Sequence, residues 1–193
     1  MHSWGPVLAR NLHLALWLGW LFYWFISARG TKRTVRHETP AQRWIYALPL
    51  AVAMVLFMFP HRFVHLFQLI FPPTWTLYWI GTALLVTGLA FSIWARVTLG
   101  RNWSGTVTVK EDHELIQTGP YQLVRHPIYT GLLVAVTGSA LAQDRWSSVL
   151  AVVLIFISFW IKLLREEAWI RETFGEKYDA YCARTKRLVP LIW

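Results

Sequence analysis

Long apolar runs, separated by short clusters of basic residues, limit what this chain can fold into. They fall at Leu12–Ser27, Trp44–Phe59, Trp75–Leu99, Ile128–Ala142 and Ser147–Leu164. A helix needs about 20 apolar residues to cross a bilayer. The first, second and fourth runs are short, so they must tilt little, draw in flanking residues or thin the bilayer. The sequence therefore predicts an all-α, polytopic helical membrane protein with about five transmembrane helices. Composition agrees: 55% of residues are hydrophobic and only 15% charged, too few charges for a soluble domain. The net charge of +9 does not point to nucleic acid, because the basic residues lie between the apolar runs and suit anionic lipid. The single cysteine, Cys182, gives no disulfide framework. The first run follows only Arg10 and shows no clear cleavage site, so it reads as a retained helix.

Charge sets the orientation. Arg29, Lys32, Arg33, Arg36 and Arg43 follow the first run, and Arg96, Arg101, Lys110 and Arg125 lie between the third and fourth. Lys162, Arg165, Arg171, Lys177, Arg184, Lys186 and Arg187 come at the end of the fifth or beyond it, while the other side holds only Arg10, Arg62 and Arg145. The positive-inside rule then puts the N-terminus outside and the C-terminus in the cytoplasm, as in a bacterial-type inner membrane. The last two runs are joined only by Gln143–Trp146, which predicts a tight helical hairpin. Pro60 and Pro72-Pro73 break the chain after the second run, leaving Arg62–Phe71 as a short interfacial helix or a further span. Most of the 13 tryptophans, Trp17, Trp20 and Trp24 among them, read as an interfacial belt. Gly88 and Ser92, and Gly131, Ala135 and Ser139, recur at four-residue spacing and would let helices approach closely.

Two polar stretches carry the chemistry. The first runs from Leu99 to Gly131, with Thr106–Val109 able to form a short extended piece. Pro127 suits the first turn of the fourth helix and places His126 at its cap. The unpaired amides there form an anion site that a small carboxylate would fit. Read blandly, His126 is only a cap and Arg125 a snorkelling anchor. The second stretch, Lys162–Tyr181, sets Glu166 and Glu167 beside the membrane surface. They are either a salt-bridge collar with Lys162 and Arg165 or a site for a polar ligand. Phe174, Tyr178 and Tyr181 then share one face, predicting an amphipathic helix on the membrane. His61 and His65 have metal-ligand spacing but lie away from these clusters, and no metal site is expected. No dinucleotide fingerprint or phosphate loop is present.

The run His113-x-Leu-Ile-x-x-Gly-Pro-Tyr-x-x-Val-Arg-His-Pro-x-Tyr-x-Gly131 and the block Glu166-Glu-x6-Phe-Gly-x-x-Tyr-x-x-Tyr181 resemble the isoprenylcysteine carboxyl methyltransferase family, with Leu99-Gly-x-Asn-Trp-Ser104 matching its lead-in. The resemblance covers about Trp94 to Pro190. It divides the chain into N-terminal membrane helices (1–93) and a catalytic region (94–193) holding the last two spans and the cytoplasmic tail. It implies S-adenosyl-L-methionine as cofactor, contacted by His113, Glu114, Leu115, Ile116, Tyr121, His126, Pro127, Ile128, Tyr129 and Glu166. The bottom-up reading adds Glu167 as an alternative partner for the cofactor's amino group or ribose.

Lys162, which matches a basic residue near the substrate carboxylate, and Arg125 are the candidate catalytic residues. Lys162 stands where eukaryotic members carry arginine, which loses the bidentate fork. The expected activity is methylation of the carboxylate of an isoprenylcysteine-like or other lipid-like acid, with membrane lipids and a prenylated or lipid-like small molecule as partners and no nucleic acid. Phospholipid amine N-methylation, an NADPH-dependent sterol-type reductase, and a non-enzymatic transporter or organising protein are the alternatives. No charge sits mid-span and no internal repeat is evident, which argues against transport.

Overall fold

The computed structural model describes residues 5–58, 70, 74–112 and 114–190. The Arg62–Phe71 segment, His61, His65 and His113 lie outside those residues, Ile70 apart. Helices occupy all five expected places: α1 (Gly5–Ser27), α2 (Pro40–Met58), α3 (Trp75–Leu99), α4 (Pro127–Gln143) and α5 (Trp146–Phe174). Among the described residues, three helices are long and apolar enough to cross a membrane: Pro40–Met58, α3 with its 3-10 extension to Asn102, and Trp146–Phe174. The chain is an integral membrane protein. α4 has only 17 residues, about 25 Å at 1.5 Å per residue.

Local chemistry explains the helix ends. Thr74 caps α3 through its hydroxyl, which accepts the Leu77 amide at 3.2 Å. The hairpin between α4 and α5 is tighter than expected, with only Asp144 and Arg145 outside the helices. α5 does not stop at Leu164; its 29 residues span about 43 Å, roughly 13 Å more than a hydrocarbon core. The surplus carries Glu166 and Glu167 clear of the apolar stretch. Gly175, at φ 51°, turns the chain out of α5 into α6 (Glu176–Arg184), a backbone conformation glycine adopts without steric penalty.

α3 and α4 pack along their lengths, as do α2 and α5. The α3–α4 seam is set by glycines seven residues apart, Gly81 and Gly88 facing Gly138 and Gly131. A Cβ on Gly131 would stand 2.6 Å from the Gly88 carbonyl oxygen and 2.7 Å from the Ser92 nitrogen, so only glycine admits this approach. Two tryptophans of α1 depart from the belt reading. Trp17 donates to Ser139 (3.1 Å) and Trp20 to Ser92 (2.9 Å), tying α1 to α4 and α3. In lipid an indole N–H has no solvent to turn to, so it takes a serine on a neighbouring helix. The line drawn at residue 93 also falls inside α3.

The extended piece exists, and its partner was not foreseen. β2 (Thr108–Lys110) pairs antiparallel with β1 (Thr34–His37), forming a two-stranded ribbon at one end of the bundle. At the same end the segment after α6 returns beside the start of α4: Arg125 N donates to Lys186 O (2.7 Å) and His126 N to Arg187 O (3.0 Å). α6 therefore docks on protein rather than presenting its aromatic face to lipid. Tyr178 and Tyr181 are buried, and the Tyr181 hydroxyl donates to the Tyr121 carbonyl at 2.6 Å.

Candidate active site

Glu166 and Glu167 are neighbours on α5, so about 100° of helical turn separates their side chains. That divergence gives them different environments. Glu167 points inward and is almost wholly buried, its side chain 4% exposed. Its Oε1 accepts two hydrogen bonds from Arg125, through Nε (3.0 Å) and Nη2 (2.9 Å), and lies 3.2 Å from His126 Nε2; its Oε2 accepts from Arg187 Nε at 3.0 Å. Arg125 also donates to the carbonyls of Thr185 and Cys182. Burial works against the Arg125 charge, but the hydrogen bonds to Glu167 outweigh it and hold the guanidinium above its ordinary pKa. This network fixes the segment before α4, the end of α5 and the C-terminal tail to one another.

Glu166 faces a cavity of about 280 Å³. It accepts the Tyr129 hydroxyl at 2.7 Å, and its Oε2 lies 3.8 Å from His126 Nδ1. His126 thus stands between the two carboxylates. It sits at the helix cap as the sequence implies, but its side chain makes no capping bond and turns to the glutamates instead. Tyr129 stacks on His126 (ring centroids 5.7 Å) and packs on Phe159 (4.9 Å). Lys162, one helical turn before Glu166, donates to the Gly105 carbonyl at 2.8 Å, with Glu166 at 3.9 Å and the rings of Tyr129 and Tyr46 at 5.6 and 5.7 Å. Burial, and then the Glu166 charge, push the Tyr121 hydroxyl pKa up, so it stays neutral.

Of the residues singled out in the sequence, Tyr121, Arg125, His126, Ile128, Tyr129, Lys162 and Glu166 line this one cavity. Pro127 and Glu167 are buried behind it. Glu114 is not brought in: its exposed side chain pairs with Lys32 at 3.3 Å, and Leu115 and Ile116 also lie off the cavity wall. The segment holding them is anchored where the Glu114 amide donates to Asn102 Oδ1.

The wall also contains residues sequence reasoning passed over: Trp20 and Trp24 from α1, Asn102, Trp103 and Thr106–Thr108 from the lead-in and ribbon, and Trp169 from α5. Asn102 and Trp103 carried a signal, since they stand in the Leu99–Ser104 motif. Trp20 and Trp24 carried none, being indistinguishable in sequence from belt tryptophans. Trp24 meets Trp103 edge-on at 5.4 Å.

Fold and site together define a helical membrane protein with an aromatic cavity, one carboxylate, one ammonium and one imidazole at a single end of the bundle. A family model described as phospholipid methyltransferase matches residues 76–177, and the chain belongs to that family. The motif resemblance to isoprenylcysteine carboxyl methyltransferases holds. The chain is 29% identical over 121 residues to a probable protein-S-isoprenylcysteine O-methyltransferase of Oryza sativa subsp. indica, covering 61% of this chain and 63% of that protein. It is 32% identical over 101 residues to the protein-S-isoprenylcysteine O-methyltransferase of Schizosaccharomyces pombe, covering 51% and 43%.

A nickel-cobalt-cadmium resistance protein, NccN, of Alcaligenes xylosoxydans xylosoxydans is 28% identical over 117 residues, 60% of this chain and 54% of that one. The chain spans less than two thirds of the length of these relatives. A solved structure of the eukaryotic intramembrane Ras methyltransferase, isoprenylcysteine carboxyl methyltransferase, shares the fold: TM-score 0.54 and 22% identity over 82% of this chain and 55% of that one.

Proposed function

We propose that this protein is a membrane methyltransferase that takes a methyl group from S-adenosyl-L-methionine and places it on the carboxylate of an isoprenylcysteine-like or other lipid-like acid. The observation that carries this reading is the convergence of His126, Tyr129, Lys162 and Glu166 on one aromatic cavity. The residues present fit the cofactor. Glu166 offers a carboxylate to an amino group or ribose hydroxyl, the first turn of α4 offers amides to a carboxylate, and Tyr121 and Tyr129 offer ring faces to a cation. Thr108, in the cavity wall, has a buried hydroxyl with no hydrogen-bond partner among the described residues.

S-adenosyl-L-methionine would supply an electrophilic methyl group on a sulfonium. The chain's own task is then position and exclusion of water. A carboxylate nucleophile is already ionised at neutral pH and needs no base. Lys162 supplies the counter-charge that orients it, and the tryptophans of α1 and the lead-in close the cavity against water. Arg125, with its guanidinium committed to Glu167 and two carbonyls, is a positioning residue for His126 rather than a group that touches substrate.

The catalytic region is residues 94–193, with the N-terminal helices contributing Trp20 and Trp24. The positive-inside bias puts the cavity on the cytoplasmic side of a bacterial-type inner membrane, with the N-terminus outside. The family's description supports a second reading, methylation of a phospholipid amine, in which the Glu166–Tyr129 pair would receive the amine proton.

Labelled S-adenosyl-L-methionine should bind the detergent-solubilised protein, and the double variant His126→Ala, Glu166→Ala should lose that binding. Undiminished binding by the variant would falsify the site assignment. Incubating membranes with the labelled donor and treating them with base separates the acceptors: a methyl ester releases volatile methanol, and an N-methyl group does not.

A further inference from the structure

A second buried carboxylate lies behind the cavity wall, in a part of the chain with no family motif. Glu38 stands between β1 and α2, its side chain 1% exposed. Its Oε1 accepts the Tyr46 hydroxyl and the Val107 amide (3.3 Å), with Arg43 Nε at 3.7 Å from the half-exposed side. Its Oε2 is buried without a hydrogen-bond partner among the described residues. Burying a carboxylate so incompletely paired is expensive. A tie between the ribbon and α2 needs only Oε1, and the carboxylate charge makes that tie stronger than a neutral acceptor would.

Two of the supports of Lys162 lie on or next to groups that Glu38 holds, the others being Glu166 and the Tyr129 ring. The Lys162 ammonium donates to the carbonyl of Gly105, two residues before Val107, and lies 5.7 Å from the Tyr46 ring. Tyr46 is pinned at its other end, where its carbonyl accepts the Ser158 hydroxyl at 2.7 Å. Glu38 thus fixes one support of Lys162 through the strand and a second through the phenol. A phenol whose O–H donates to a carboxylate also presents a more electron-rich ring, which strengthens its hold on a cation.

We propose that Glu38 is a positioning residue for Lys162: through Tyr46 and Val107 it sets the place and orientation of the ammonium that receives the acceptor carboxylate. The inference rests on the proposed methyl transfer to a lipid-like acid. Its effect falls more on the acceptor than on the donor, because neither Glu38 nor Tyr46 lines the cavity and both act through Lys162.

The test uses the purified full chain with labelled S-adenosyl-L-methionine as donor and N-acetyl-S-farnesyl-cysteine as acceptor. Glu38→Gln keeps the acceptor oxygen and removes the charge; Tyr46→Phe keeps the ring and removes the hydroxyl. Each should raise the acceptor KM about three- to tenfold, the range of one typical net intramolecular hydrogen bond, with a smaller change in donor affinity. The double variant should be no worse than the weaker single, since both act through one chain of contacts.

Tyr46→Phe is conservative enough to fold if Glu38→Gln does not, and it decides the matter alone. An unchanged acceptor KM in a folded variant, or equal losses of donor and acceptor affinity, overturns the inference while leaving the methyltransferase reading intact. A wild-type protein that transfers no methyl group to the farnesylated acid overturns the acceptor assignment, and this inference with it.

Discussion

Replacing Glu167 with alanine should be the most damaging single change at this end of the bundle, because one carboxylate answers three basic groups. Arg125 is 8% exposed and would keep its charge with only the carbonyls of Thr185 and Cys182 to face. Arg187 is 34% exposed and can turn to water, so its share of the loss stays under about 1 kcal/mol. The cost therefore comes from Arg125 and His126. Removing one partner of a buried pair typically costs about 3–5 kcal/mol. At about 2–4 °C per kcal/mol for a chain of this size, Tm should fall by roughly 6–20 °C.

Tryptophan fluorescence of the detergent-solubilised protein during heating reads this directly. The double variant Glu167→Ala, Arg125→Met separates cause from accident, since removing the stranded charge should recover most of the loss. A single variant within about 2 °C of wild type, below the smallest shift expected for one kcal/mol, refutes the reasoning. A double variant no more stable than the single one does so as well.

Gly131→Ala should cost about 1–3 kcal/mol by forcing α3 and α4 apart, whereas Gly19→Ala, whose Cβ meets nothing within 4 Å, should be neutral or stabilising; thermal melts of the two variants decide. Arg36→Ala removes an ion pair to Glu172 at 2.6 Å whose partners are both more than half exposed. It should lower Tm by less than about 4 °C, since such pairs are worth about 1 kcal/mol or less, and melts at low and high salt check that the remaining effect is screened.

Periodicity-free apolar runs, proline and glycine punctuation and charge placement were enough to locate five helices, the hairpin between α4 and α5 and the polar end of the bundle, because lipid imposes helix on any segment it surrounds. The resemblance to the family's motifs also pointed to His126, Tyr129, Lys162 and Glu166, which line one cavity. Pairings between distant segments were not legible. Nothing in Thr34–His37 marks it as the partner of Thr108–Lys110, and nothing local tells Trp20, which donates to Ser92, from a tryptophan at the membrane surface.

The adjacent glutamates show the difference most plainly. The sequence presents Glu166 and Glu167 as equivalents; the rotation of α5 against α4 sends one into the cavity and the other into a buried network with Arg125 and Arg187. Glu38 was invisible for the same reason: its worth depends on Tyr46, Val107 and Lys162 meeting from three separate segments. Composition settles the solvent a chain must satisfy, and only packing settles which side chains share a cavity.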